Sequence, residues 1–325
     1  MVTRRYPMTG DSADAAGIDA AAEAIAAGML VAMPTETVYG LAADATNAAA
    51  VARIFAAKGR PRFNPLIVHV SSPEAAERIA IFTPKAQSLA AAFWPGPLTL
   101  VLKSVPGSGI ADLVTAGLDT IAVRVPAHPV AQALLTRCGR PLAAPSANRS
   151  GHVSATSAED VAADLGEAVA VILDAGPTPL GIESTIVAVA DSEVRLLRPG
   201  GVTRQAIEAV IGERLREAGP GDSETPQAPG MLAQHYAPAA ALRLDARDVR
   251  PDEALLAFGL PLPPGAERAR AVINLSERGD LVEAAAHLFG ALRALDRVSD
   301  RIAVMPIPEE GLGEAINDRL RRGAA

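Results

Sequence analysis

Apolar and polar positions follow two periods along the chain, and the switches between them outline the elements. Ile18, Ala22, Ile25 and Ala26 recur at helical spacing, and Gly28 stands where that helix should end. Residues 29–33 form a short apolar run, read as a buried strand. Residues 47–58 return to helical spacing, with Val51, Ile54 and Phe55 on one side. Residues 65–70 predict a strand with proline at its start, where the missing N–H is harmless. Helices are expected over 84–94, 128–138, 157–165 and 203–216. The third opens with a capping signal, Ser157 three residues before Asp160. Strands are expected over 98–102, 120–125, 169–174, 184–190 and 194–197. Helices and strands interleave, but some strands follow one another directly. The pattern therefore predicts a mixed, twisted α/β sheet, not a strictly parallel one.

Residues 219–238 break the pattern with four prolines and three glycines, and they read as a linker. Beyond them the alternation restarts, with strands over 254–259, 271–275 and 301–307 and helices over 281–295 and 312–322. The expected organisation is a large α/β domain over 1–216, a linker or lid over 217–243, and a small Rossmann-like α/β domain over 244–325. A chain of 325 residues fits that division.

Composition narrows the function. The formal charge is −7 and aromatics make up 3% of the chain, against a nucleic-acid binder that works by basic surface and base stacking. The acidic excess is shared by both halves, so any anion site must be a local cluster. Cys138 stands alone, which excludes an intramolecular disulfide, a CxxC motif and a cysteine zinc site, and fits a reducing cytoplasm. The apolar stretch 24–33 follows Asp11, Asp14, Asp19 and Glu23, the wrong flank for a signal peptide. No run is long enough to span a membrane. Neither GxGxxG, a P-loop nor GxSxG occurs. His69, His128, His152, His235 and His287 are dispersed, without metal-site spacing.

Several polar clusters sit at strand ends, where α/β sheets bind ligands. Lys58-Gly59-Arg60-Pro61-Arg62 places three cations in five residues, in a chain with only three lysines. It reads either as a solvated loop at a helix end or as an anion clamp. Residues 34–41 (PTETVYGL) and 145–151 (PSANRSG) read as capped turns or as anion-binding loops. Arg124 is a charge inside the apolar strand 121–125, so it needs a partner, a structural carboxylate or that of a substrate.

In this order, PTETVYGL, KGRPRFNPLIVHV, WPGPLTLVL, TIAVRVP, PLAAPSANRSG, GIESTIV and LLRPGG resemble the threonylcarbamoyl-AMP synthases, which have the YrdC-type fold with a concave cleft. The match covers about residues 15–212. PGMLAQHYAP and the unit behind it resemble the longer members of that family. The resemblance implies synthesis of threonylcarbamoyl-AMP and pyrophosphate from L-threonine, bicarbonate and ATP. Downstream proteins would then transfer the threonylcarbamoyl group to adenosine 37 of tRNA.

The resemblance also implies roles. Lys58 and Arg60 match the catalytic cleft. Thr35, His69, Arg124, Ala144 and Ser184 match positions around threonine. Lys58, Arg62, Thr120, Ser146, Asn148, Ser154, Arg198 and Tyr236 match positions around ATP. Mg²⁺ would be carried by ATP, with no protein metal site. Glu36 and Glu183 read equally as cation-orienting groups, Mg²⁺ holders or surface residues, and no residue is assigned as the base for the threonine amine. A weak RNA contact is left open, and the competing reading is an RNA-binding module of the same fold without adenylation.

Overall fold

The computed structural model describes residues 2–9, 12–190, 193–217, 228–229 and 235–325. The first unit runs β1 (Arg4–Pro7), α1 (Ser12–Ala26), β2 (Val31–Met33), β3 (Gly40–Asp44), α2 (Ala48–Lys58), β4 (Ile67–His69), α3 (Pro73–Glu77), β5 (Ala80–Ile81), α4 (Pro84–Phe93) and β6 (Leu98–Ser104). It continues through α5 (Asp112–Thr115), β7 (Thr120–Arg124), α6 (Pro129–Cys138), β8 (Leu142–Ala143), α7 (Ala158–Leu165), β9 (Val171–Asp174), β10 (Thr185–Val189), β11 (Val194–Arg198), α8 (Arg204–Ile211) and β12 (Arg216–Glu217). These strands form one mixed sheet in the order β1-β9-β2-β3-β8-β4-β7-β6-β10-β11-β12, with β5 beside β6. The second unit holds β13 (Ala241–Arg243), β14 (Ala254–Ala257), β15 (Val272–Asn274), α9 (Leu281–Asp296), β16 (Arg301–Val304) and α10 (Gly313–Gly323). Its four strands are parallel, in the order β13-β16-β14-β15. The mixed α/β architecture matches the expectation.

Strand alternation sorts the side chains between two faces. In β2, Val31 and Met33 pack with Ile25 of α1 and Leu134 of α6, whereas Ala32 packs on the other face with Val51 and Ile54 of α2. Further along the sheet one face, with Val68, Leu100, Val123 and Val187, is covered by α2, α4 and α8. The opposite face of those strands carries Ile67, Val101, Ala122, Ile186 and Leu197, and the described residue packed on it from outside is Ala228. That thinly covered face holds the site.

Local signals explain most boundaries. Asn47 caps α2 by accepting from the N–H groups of Ala49 and Ala50, and Gly59 at φ 60° ends it. Ser157 and Asp160 form the predicted capping box. His128 is the N-cap of α6, its Nδ1 accepting from the Val130 N–H. The helix expected over 203–216 is shorter: Gly212 at φ 72° closes α8, and Arg216–Glu217 pairs with β11 instead. Strands β1, β3 and β13 lay outside the predicted elements, because they are short and poor in β-branched residues. The predicted linker falls mostly outside the described residues, and the second sheet already begins at Ala241.

The two units share a core. Val38, Val153, Ile182 and Tyr236 pack with Leu288, Phe289 and Leu292 of α9 and with Ile316 and Leu320 of α10. Gly181 marks the closest approach: a Cβ there would lie 2.5 Å from the carbonyl oxygens of Ala285 and Ala286.

Candidate active site

Alternation along β4 and β7 places Ile67 and His69, and Ala122 and Arg124, on the thinly covered face, with His69 directly opposite Arg124 in register. Ser184 precedes β10, and its hydroxyl lies 2.7 Å from that of Thr99 on β6. Ile67, His69, Arg124 and Ser184 line one cavity with Thr35, Thr37, Arg60, Ala144, Ser146, Glu183, Arg198, Pro229, His235 and Tyr236. The free space left in it is about 40 Å³, enough for a few waters.

At one end, Arg124 is almost fully buried and uses three of its five N–H donors. Nε donates to the Gly96 carbonyl at 3.1 Å, Nη1 to the Thr37 hydroxyl at 3.0 Å and Nη2 to Glu36 at 2.5 Å. Of the two partners the sequence left open for Arg124, the structural carboxylate is present, and it is Glu36. Burial pushes the Glu36 carboxyl up, but the Arg124 charge and hydrogen bond outweigh it and hold the pKa below the usual range. Burial, helped by the Arg124 charge, pushes His69 down to about 3, so its imidazole is neutral, and its Nδ1 has no hydrogen-bond partner among the described residues. The Thr35 hydroxyl donates to the Val38 carbonyl at 2.6 Å and accepts from the Thr37 and Val38 N–H groups, which closes the 35–38 turn.

The other end is cationic. Arg60 donates to Asn64 Oδ1 at 2.6 Å and the Pro65 carbonyl at 2.7 Å. Lys58 donates from α2 to the carbonyls of Ser146 and Asn148, tying the helix end to that loop. Arg198 donates to the Ser184 carbonyl at 2.8 Å and its hydroxyl at 3.2 Å. Burial presses all three cations toward their neutral forms. An anion among them would reverse that strain. Glu183 is 5% exposed, accepts from the Ser154 hydroxyl and pairs with Arg319 at 2.8 Å, so it is not a surface residue.

His235 and Tyr236 enter this space from the second unit's side. Burial, then the charges of Arg60, Lys58, Arg198 and Arg319, keeps His235 neutral. Tyr236 sits at φ 63°, a conformation that bulky residues rarely adopt, and its ring lies 5.7 Å from Phe289.

The structure thus brings together Thr35, His69, Arg124, Ala144, Ser184, Arg60, Ser146, Arg198 and Tyr236. Lys58, Asn148 and Ser154 lie just behind the cavity wall, Asn148 with its side-chain amide on the carbonyls of Arg149 and His152. Arg62 and Thr120 are not brought in. Arg62 is exposed beyond α2, and Thr120 lies at the opposite end of β7 from Arg124, in a separate groove with Lys103 and Asp119. Of the remaining histidines, His152 and His287 are exposed. Among the described residues no cluster of three or more His, Cys, Asp or Glu could hold a metal, and no helix is long and apolar enough to cross a membrane.

Residues 23–200 match the Sua5–YciO–YrdC family, described as telomere recombination, and residues 202–325 match the threonylcarbamoyl-AMP synthase C-terminal domain. The threonylcarbamoyl-AMP synthase of Bacillus subtilis is 43% identical over 309 residues, covering 91% of this chain and 89% of that one. The chain belongs to the threonylcarbamoyl-AMP synthase family. The family member from Pyrococcus abyssi is 46% identical over 322 residues, 94% of this chain and 93% of that one. A crystal structure of P. abyssi Sua5 complexed with L-threonine superposes with a TM-score of 0.89 at 39% identity, covering 100% of this chain and 98% of that chain.

Within this synthase fold, reading the sequence missed Arg319, Thr99 and Thr37 as parts of the site. Arg319 had a signal: it falls on the same helical stripe as Ile316 and Leu320, so α10 had to bury it. Thr37 had one too, its place in the polar 34–41 cluster, but that cluster reads equally as a capped turn; Thr99 had none, since a hydroxyl in a strand reads as ordinary propensity.

Proposed function

We propose that this chain is an L-threonylcarbamoyladenylate synthase, which forms threonylcarbamoyl-AMP and pyrophosphate from L-threonine, bicarbonate and ATP for t6A modification of tRNA at adenosine 37. The observation that supports it best is the division of one cavity into two ends. Arg124, neutral His69, Thr35 and Ser184 suit a small zwitterion, and Arg60 and Arg198, backed by Lys58, suit a polyphosphate.

Two N–H donors of Arg124 remain for the threonine carboxylate, while Glu36 holds the guanidinium plane in place. The unpartnered Nδ1 of His69 can accept a hydrogen bond from the amine or hydroxyl of threonine. In the reaction, a carboxylate oxygen of N-carboxy-threonine bonds to the α-phosphorus and the bond to pyrophosphate breaks. Arg60, Arg198 and Lys58 stabilise the charge that builds there and hold the groups in line. Both cavity carboxylates are committed to arginines, so Mg²⁺ would arrive on the ATP phosphates, where it would neutralise charge. The free volume is too small for these substrates. Displacement of Pro229, His235 and Tyr236 from the cavity wall would admit them, and their return would exclude water.

The RNA-binding alternative is not favoured, because the converging cations are buried, out of reach of a nucleic-acid backbone. The test is to mix the protein with Mg-ATP, L-threonine and labelled bicarbonate and to analyse the nucleotides by mass spectrometry. Label in a threonine–AMP adduct is the expected result. Pyrophosphate release indifferent to threonine and bicarbonate would overturn the reading.

A further inference from the structure

Arg319 belongs to α10, yet it is completely buried one side chain behind the cavity wall of the first unit. Its Nε donates to Glu183 Oε2 at 2.8 Å and its Nη1 to Asp318 Oδ2 at 2.6 Å, and its guanidinium carbon lies 4.9 Å from the centre of the Tyr236 ring. Glu183 lines the cavity, and its other oxygen accepts from Ser154. Arg198 is close enough to Glu183 to feel its charge, but its hydrogen bonds to Ser184 and Pro229 go to neutral oxygens. One buried carboxylate thus has two arginines within reach and is bonded to the one from the second unit.

We propose that Arg319 is a positioning residue of the synthase site: by engaging Glu183 it keeps that carboxylate off Arg198, whose guanidinium stays available for the phosphates of ATP. The inference rests on the synthase reading and gives the C-terminal unit a part in the chemistry. Without Arg319, Arg198 is the arginine left for Glu183 to pair with, since Lys58 is held on the Ser146 and Asn148 carbonyls. A carboxylate seated on Arg198 competes with phosphate for the same donors, because each presents a pair of oxygens that fits one guanidinium fork.

The test measures Mg-ATP binding by calorimetry on the full chain. Arg319→Met weakens binding at least tenfold, on the order of one charge-assisted hydrogen bond. Adding Glu183→Gln, which removes the competing charge and keeps the Ser154 hydrogen bond, restores the dissociation constant to within threefold of wild type. Arg321→Ala, on the exposed side of the same helix, stays within twofold. A docking role alone does not predict rescue by the second substitution. Should Arg319→Met lack a cooperative melt, Arg319→Lys is read instead, with a loss of at least threefold that Glu183→Gln restores. Binding within twofold of wild type in a folded Arg319 variant, or a loss that Glu183→Gln does not restore, overturns the inference. Wild-type protein that binds Mg-ATP but forms no threonylcarbamoyl-AMP overturns the synthase reading and leaves this result to be judged by the binding series. Wild-type protein that does not bind Mg-ATP overturns both.

Discussion

Arg124 Nη2 and Glu36 Oε1 lie 2.5 Å apart, joining the middle of the sheet to the turn after β2. The pair holds a guanidinium in the floor of the cavity with two donors to spare. Burial raises the Glu36 carboxyl while Arg124 lowers it further, so the net folded-state pKa is depressed. Its contribution to stability is present above the unfolded carboxyl pKa and is lost as pH falls through the folded value. Glu36→Gln keeps only one of the two hydrogen bonds, from Arg124 or from the Ala127 N–H, because its amide nitrogen cannot accept, and it leaves the Arg124 charge uncompensated. It should cost about 3 kcal/mol at pH 7, toward the lower side of breaking a buried pair. The difference from wild type should shrink as pH falls below the ordinary carboxyl range, where the unfolded chain takes up a proton before folded Glu36 does. Urea titrations at several pH values check both points.

Lys58 connects the end of α2 to the carbonyls of Ser146 and Asn148. Lys58→Ala should leave the chain folded while cutting threonylcarbamoyl-AMP formation by roughly 10- to 100-fold, the equivalent of one charge-assisted hydrogen bond in the transition state. Near-normal turnover, measured by pyrophosphate release, would reject the role given to this lysine.

His69 is buried and its pKa falls to about 3, first through desolvation and then through the Arg124 charge. Between that value and about 6.5, the unfolded chain takes up a proton that the folded chain does not. Stability therefore falls with decreasing pH across this window, by about 1.4 kcal/mol per pH unit for this residue well inside it. His69→Gln should flatten that slope, and the His69 ring signals in wild-type protein should not titrate between pH 5 and 8. An NMR titration with a midpoint near 6.5 would contradict the burial argument.

Gly181 stands at φ 69°, where a Cβ would meet the backbone of α9 at 2.5 Å. Gly181→Ala should destabilise the chain by about 2–4 kcal/mol, combining strain and a clash. The junction between the units should open first, seen as faster proteolytic separation of the two units than in wild type. An unchanged melting temperature and cleavage rate would show that the two units are not locked at this point.

Much of the site could be read from the residues themselves, and some of it could not. The cationic run after α2 stood out because Lys58 is one of three lysines, and Arg124 because a charge inside an apolar strand demands a partner. Neither feature shows how the chain finds that partner. Glu36 is 88 residues from Arg124, and it meets it only because β2 and β7 belong to the same sheet.

Periodicity, caps and composition follow from each residue and its near neighbours, so they determined the α/β class, the position of nearly every long helix and the strand ends that carry polar clusters. Which of those ends share a cavity depended on strand order, a matter of long-range pairing that no local window contains. For this reason Thr120 and Arg124, on one short strand, end up in different grooves. Arg319, more than a hundred residues beyond Glu183 in the chain, ends up one hydrogen bond from it. Burying the apolar face of α10 against the first unit forces that contact, and only the packed tertiary structure could decide it.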